Sequence, residues 1–158
     1  MKQVSTLFLE GVIFLIAIAV MALCVFGLPA IAREAAEHFP KLIYLSFLIG
    51  VYTAAIPFYI ALHQALLLLS YADKNEALSE PSILALRNIK FCAIAIGACF
   101  MFALPLVYKV ADLEDAPGVM ALGLVVTGAP FVVATFAAVL EKIFRKAVEV
   151  KSENDLTV

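Results

Sequence analysis

His63 and Gln64 form the one strongly polar pair set well inside an apolar run of this 158-residue chain, with no charged residue from Leu42 to Ala72. An imidazole in such a setting can sense pH, relay a proton or ligate a metal, and intramembrane polar groups are costly enough to need a partner. No second His or carboxylate falls at a matching place in the other apolar runs, so neither a relay nor a ligand set is complete. The competing reading is structural, with Gln64 and Tyr59 as groups able to hydrogen-bond across helices.

Other chemistry-bearing residues are sparse. Glu10 opens the first apolar run beside Gly11, a place where proton-coupled small exporters put a carboxylate, although one residue outside the run it reads as an interfacial, solvated group. Asp112, Glu114 and Asp115 make a short acidic segment able to attract a cation, and three carboxylates in one turn are ordinarily hydrated. Cys24, Cys92 and Cys99 all lie in apolar runs, are odd in number and form no C-x-x-C pair, so they read as small apolar residues rather than as a disulfide or redox motif. The Gly-rich phosphate loop, H-E-x-x-H, G-x-S-x-G and Cys/His zinc spacings are all absent. The chain is therefore expected to be non-enzymatic, with no catalytic residues, metal or cofactor.

The elements that carry these residues are set by composition. Hydrophobic residues make up 65% of the chain and charged residues 15%, against about 45 to 50% and 25% in soluble domains. Uncharged runs cover residues 11–32, 42–72, 91–108 and 116–140, and a helix needs roughly 20 apolar residues to cross about 30 Å of hydrocarbon. The expected fold is an all-α integral membrane protein, one domain over residues 1–158, with transmembrane helices at about 5–32, 42–72, 82–108 and 117–151 and a tail at 152–158. The formal net charge of −2 argues against direct nucleic-acid binding. Lys2 followed by an apolar run and Ala30-Ile31-Ala32 imitates a signal peptide, but the 22-residue run from Gly11 to Ala32 exceeds the usual signal core.

Lys and Arg in short flanks sort toward the cytoplasm. One side collects Lys2, Lys74, Arg87, Lys90, Lys142, Arg145, Lys146 and Lys151, and the other has Arg33, Lys41 and Lys109, a bias of eight against three. Both termini and the middle connection are expected inside. The 31-residue second run is too long for the hydrocarbon and should project into the cytoplasm near Leu68 to Ala72. Ser79 or Ser82 can cap the third helix, whose first turn tolerates Pro81. The fourth helix should continue as a cytoplasmic stalk on the helical spacing of Leu140, Ile143, Phe144, Ala147 and Val148, with Glu141–Arg145 and Arg145–Glu149 pairs.

Two halves of the chain share a pattern. Residues around Pro29 repeat around Pro105, and Gly50, Pro57-Phe58, Ala61 and Ala65 match Gly123, Pro130-Phe131, Ala134 and Ala138. This suggests a duplicated two-helix hairpin with a pseudo-twofold axis along the membrane normal. Pro57 and Pro130 are expected kinks, read as packing shape or as hinges beside a cavity, whereas Pro29 and Pro105 lie close enough to the outer ends to terminate helices. Small pairs at four-residue spacing, Ala93 with Gly97, Gly50 with Ala54 and Ala61 with Ala65, specify close helix contact within the chain or in a homo-oligomer.

Several strings go further: Glu34-Ala-Ala-Glu37, Ala55-Ile-Pro-Phe58, Leu69-Ser-Tyr-Ala-Asp-Lys-Asn75 with Ala77-Leu-Ser79, Asn88-Ile-Lys90, Asp115-Ala-Pro-Gly118 and Lys151-Ser-Glu-Asn-Asp-Leu-Thr-Val158. Together they resemble the bacterial membrane-protein family known as domain of unknown function 2975, over essentially the whole chain. Ala72 and Ala77-Leu78 depart from residues common in that pattern. The resemblance implies a four-helix protein of the bacterial plasma membrane, commonly encoded beside a small Cro-type helix-turn-helix regulator, and it names no chemistry. On that basis Asp73, Lys74, Asn75, Ser79, Arg145, Lys146, Glu153, Asn154 and Asp155 are candidate docking residues for such a soluble partner. The rival expectation is a small transporter or channel subunit using a cavity near Pro57, His63, Gln64 and Pro130; the plainest is a structural membrane protein whose tail is merely solvated.

Overall fold

The structure, a computed structural model, describes residues 4–156, and Lys2 and the last two residues of the tail lie outside the described part. Among the described residues all regular structure is helical. A first span, Val4–His38, comprises α1 (Val4–Ala22), a π-helical turn (Leu23–Gly27) and α2 (Leu28–His38). It is followed by α3 (Lys41–Asp73), α4 (Glu80–Leu113) and α5 (Pro117–Leu156). All four spans are long and apolar enough to cross a membrane. Their outer faces carry Phe8, Phe26, Phe102 and Val125 in the open, an exposure that hydrocarbon tolerates and water does not.

The helices outrun the apolar segments at most ends. The first span and α4 do not stop near residues 32 and 108 but run to His38 and Leu113, and α5 continues through Leu156. Beyond the apolar run the side chains change to solvated charges, yet nothing breaks the backbone ladder until a specific signal arrives. For α2 that signal is Pro40, which drives Phe39 into extended backbone at φ −124° and ψ 151°. For α3 and α4 it is a left-handed residue, Asn75 at φ 60° and Asp115 at φ 50°. In each case the next N–H reaches back five residues, Glu76 to the Tyr71 carbonyl at 2.8 Å and Ala116 to the Ala111 carbonyl at 2.9 Å, which satisfies carbonyls left open at the helix end.

Pro29 and Pro105 do not terminate helices. Pro105 sits inside α4, and Pro29 occupies the first turn of α2, where proline costs least. The π turn explains how the first span passes Pro29. There the Leu28 N–H bonds the Leu23 carbonyl, so the Cys24 carbonyl loses Leu28 as its α-helical donor. The next residue, Pro29, has no N–H to offer. Tyr52 of α3 supplies the missing donor, its hydroxyl donating to the Cys24 carbonyl at 2.7 Å. Two turns further along α3, the Tyr59 hydroxyl donates to the Ala17 carbonyl at 2.8 Å.

The spans pack in chain order: the first on α3, α3 on α4 and α4 on α5, without substantial packing of the first span on α5. The α4–α5 seam is the tightest. A Cβ on Gly97 would stand 2.8 Å from the Phe131 ring, and one on Gly123 would stand 2.9 Å from Val107, whereas a Cβ on Gly50 would meet nothing within 4 Å. Most of the buried apolar residues are alanines, Ala54, Ala85, Ala93, Ala111, Ala134 and Ala137 among them. In lipid, where helix association cannot draw on expulsion of water, such small residues allow the close approach that holds helices together.

Candidate functional site

Two features stand out in the helical scaffold: the polar end of α3, α4 and α5, and an apolar groove between the spans. Among the described residues no group of three or more His, Cys, Asp or Glu is placed to hold a metal ion.

The polar end is organised by Glu141. It lies 8% exposed on the α4-facing side of α5, where it accepts from Lys90 Nζ at 2.8 Å and from Arg145 at 3.0 Å. Lys90 and Arg87 also lie 5.0 Å and 5.7 Å from the centroid of the Phe91 ring, within cation–π range. The expected Glu141–Arg145 pair therefore forms. Lys90, its partner across the hairpin, was not foreseen, although equal counting from the Glu114–Ala116 turn places the two residues opposite one another.

That contact sets a register. If Lys90 lies beside Glu141, antiparallel counting brings the start of α4 at Glu80 level with Lys151, and Glu153, Asn154 and Asp155 level with the 74–79 connection. Asp73 closes α3, Lys74 and Asn75 form the turn, and Ser79 occupies the position before α4. Ser79 does not cap through its side chain; the hydroxyl donates back to the Glu76 carbonyl. Ser82 is fully buried in the first turn of α4. Arg145 and Lys146 are exposed two turns closer to the membrane than the Glu153–Asp155 segment. The extension of α5 is thus not a free stalk; Phe144, Ala147 and Val148 are half-buried beside the start of α4. Sequence reading missed the apolar residues exposed among these charges, Leu78, Val150 and Leu156.

The groove has a volume of about 530 Å³ and is walled by all four spans. Its floor is formed by Ala54 and Phe58 of α3 with Ala93 and Phe100 of α4, and its lips by Leu23 of the first span and Val126 and Val133 of α5. Pro130 lines it, whereas Pro57 and His63 do not. His63 is exposed, and hairpin counting about the 74–79 turn sets it level with Lys90 rather than deep in the span. Gln64 is half-buried beside it. The polar pair thus sits near the charged boundary.

At the opposite end, beyond the apolar run, His38, Glu34 and Glu114 line a second, smaller hollow between α2 and the end of α4. The His38 ring lies 3.0 Å from the Glu34 carbonyl through Nδ1. That hydrogen bond, aided by the carboxylates of Glu37, Glu114 and Glu34, holds its pKa above the ordinary histidine value.

Four apolar spans define a multi-pass membrane protein. The family model described as "Protein of unknown function (DUF2975)" matches residues 30–158, and the chain belongs to that family. It is similar over its full length, and over the full length of the relative, to the "Uncharacterized membrane protein YoaS" of Bacillus subtilis (strain 168), at 48% identity. No solved structure matches.

Proposed function

We propose that this chain is a non-enzymatic regulator or sensor of the bacterial plasma membrane, with both termini cytoplasmic, whose polar end docks a small cytoplasmic helix-turn-helix regulator. The observation that carries the reading is the register fixed by Lys90 and Glu141. Counted antiparallel from that pair, Glu153 to Asp155 fall at the level of the connection that carries Lys74 to Ser79, which supports a shared docking face. Leu78, Val150 and Leu156 stand exposed within that charged end, in the mixture of apolar anchors and polar surround that protein interfaces use. The orientation is supported by the cations of the same end, Lys74, Arg87, Lys90, Lys142, Arg145, Lys146 and Lys151, against Arg33, Lys41 and Lys109 at the other. Internal duplication belongs to the same reading: Pro57 and Pro130 both lie inside long helices that complete a hairpin, while the halves have diverged in packing at Gly50 and Gly123.

The test is affinity purification from native membranes. The full chain should recover a small helix-turn-helix protein, and a chain ending at Lys151 should not, because it loses Glu153 to Asp155 while keeping Glu141 and its partners. Equal recovery with both chains counts against the proposal.

The transporter alternative draws on the groove, which Pro130 lines. Its lining offers no charged or strongly polar side chain for ion passage, so an apolar solute is the only class it suits. Replacing His63 with Ala should leave the flux of such a solute unchanged in vesicles, since His63 stands off the groove.

A further inference from the structure

The floor of the groove is sealed and its lips are open. Ala54 and Ala93 are each 4% exposed, whereas Leu23, Val126 and Val133 are 51%, 52% and 51% exposed. This follows from the packing order, because the first span leans on α3 and α5 leans on α4, leaving the side between them without a helix. Water does not fill the space stably, since a buried water needs two to four polar partners and the only side-chain heteroatom on the lining is the thiol of Cys24. The backbone carbonyl of that same Cys24 already receives the Tyr52 hydroxyl. Nor does a helix fit inside. At a diameter of about 10 Å and a rise of 1.5 Å a helix displaces roughly 120 Å³ per residue, so a hollow of about 530 Å³ holds little more than one turn.

We infer that the groove binds a single hydrocarbon chain of a membrane amphiphile, entering sideways between Leu23 and Val126 and lying on Ala54 and Ala93. A flexible apolar chain matches a narrow slot that opens toward the bilayer, and it restores the dispersion contacts that an empty hollow forfeits. The chain is that of a phospholipid, the amphiphile that the bilayer itself presents at the open side of the groove.

The experiment reconstitutes the full-length protein in phosphatidylcholine nanodiscs with one of two probes, a phosphatidylcholine or free palmitate, each carrying a diazirine in its chain, and maps labelled residues by mass spectrometry. Labelling of Ala54, Phe58 or Ala93 is expected in addition to labelling of the fully outward Phe102, which is 86% exposed. Floor labelling by the phosphatidylcholine probe is expected, and floor labelling by palmitate alone would assign the groove to a free acid and overturn the inference. Ala129→Phe, at an exposed lining position that accepts a larger side chain, should remove floor labelling and leave that of Phe102 intact. Ala61→Phe, on the opposite wall, should do the same, which guards against a folding defect peculiar to one variant. Floor residues that stay unlabelled while Phe102 labels would overturn the inference, as would floor labelling unchanged in both variants. Protection of the floor by a dimer closed over Leu23 and Val126 would assign the groove to a second copy and overturn it equally.

Discussion

Lys90 Nζ stands 2.8 Å from Glu141 Oε2, joining the two longest helices where apolar span gives way to charged helix. Arg145 holds the other carboxylate oxygen from a side chain that is 55% exposed, so it contributes little. Lys90→Met is expected to destabilise the protein by about 1–3 kcal/mol, because it strips a buried carboxylate of its partner across the helix pair. Arg145→Ala should cost less than about 1 kcal/mol. The double variant Lys90→Met with Glu141→Leu should recover most of the loss, since no lone charge remains. Thermal midpoints in detergent order the three.

The Tyr52 hydroxyl on the Cys24 carbonyl predicts a coupling between helices. Tyr52→Phe leaves that carbonyl without a donor in an apolar setting, at an expected cost of about 1–2 kcal/mol. Pro29→Ala returns an N–H to the π turn, so the double variant should lose less than the sum of the two single ones. Amide exchange in the first span, compared across the cycle, checks this.

Gly97 and Gly50 should respond oppositely to alanine. The added methyl group at Gly97 meets the Phe131 ring at 2.8 Å, and at Gly50 it meets open space. Gly97→Ala is expected to cost about 1–3 kcal/mol by overpacking. Gly50→Ala should be neutral or stabilising by up to about 1 kcal/mol, from helix propensity. Denaturation in mixed micelles reports both.

His38 should titrate above the ordinary histidine value of 6.5. A folded pKa raised in this way makes a stabilising contribution that is complete below the unfolded value and is lost as pH rises through the folded one. The hydrogen bond of His38 to the Glu34 carbonyl should therefore contribute most in acid, with Glu37 and Glu114 adding to it. Histidine resonances followed against pH should show the upward shift, and Glu114→Gln should reduce it.

The four spans were legible because charge brackets each apolar run, at Lys41, Asp73, Lys90, Lys109 and Glu141. Their true ends were less so. Hydropathy ends the first and third spans near residues 32 and 108, but helices stop where the backbone is turned, at Phe39-Pro40, Asn75 and Asp115. Pro29 reads as a terminator because a lone sequence shows the lost N–H and not the hydroxyl from Tyr52 that offsets it. His63 lies deep in its own apolar run, yet across the α3–α4 turn it stands at the level of Lys90. Of the residues expected beside a cavity only Pro130 lies on the groove, since its other walls are ordinary apolar residues and its position follows from how the spans lean together.

The most direct measurement places a photoreactive amino acid at Asn154 in living cells and identifies what it captures. The account predicts a small helix-turn-helix protein captured from Asn154 and not from the same probe at Leu113, at the opposite end of the bundle. Capture of that protein from Leu113, or from neither position, would contradict it.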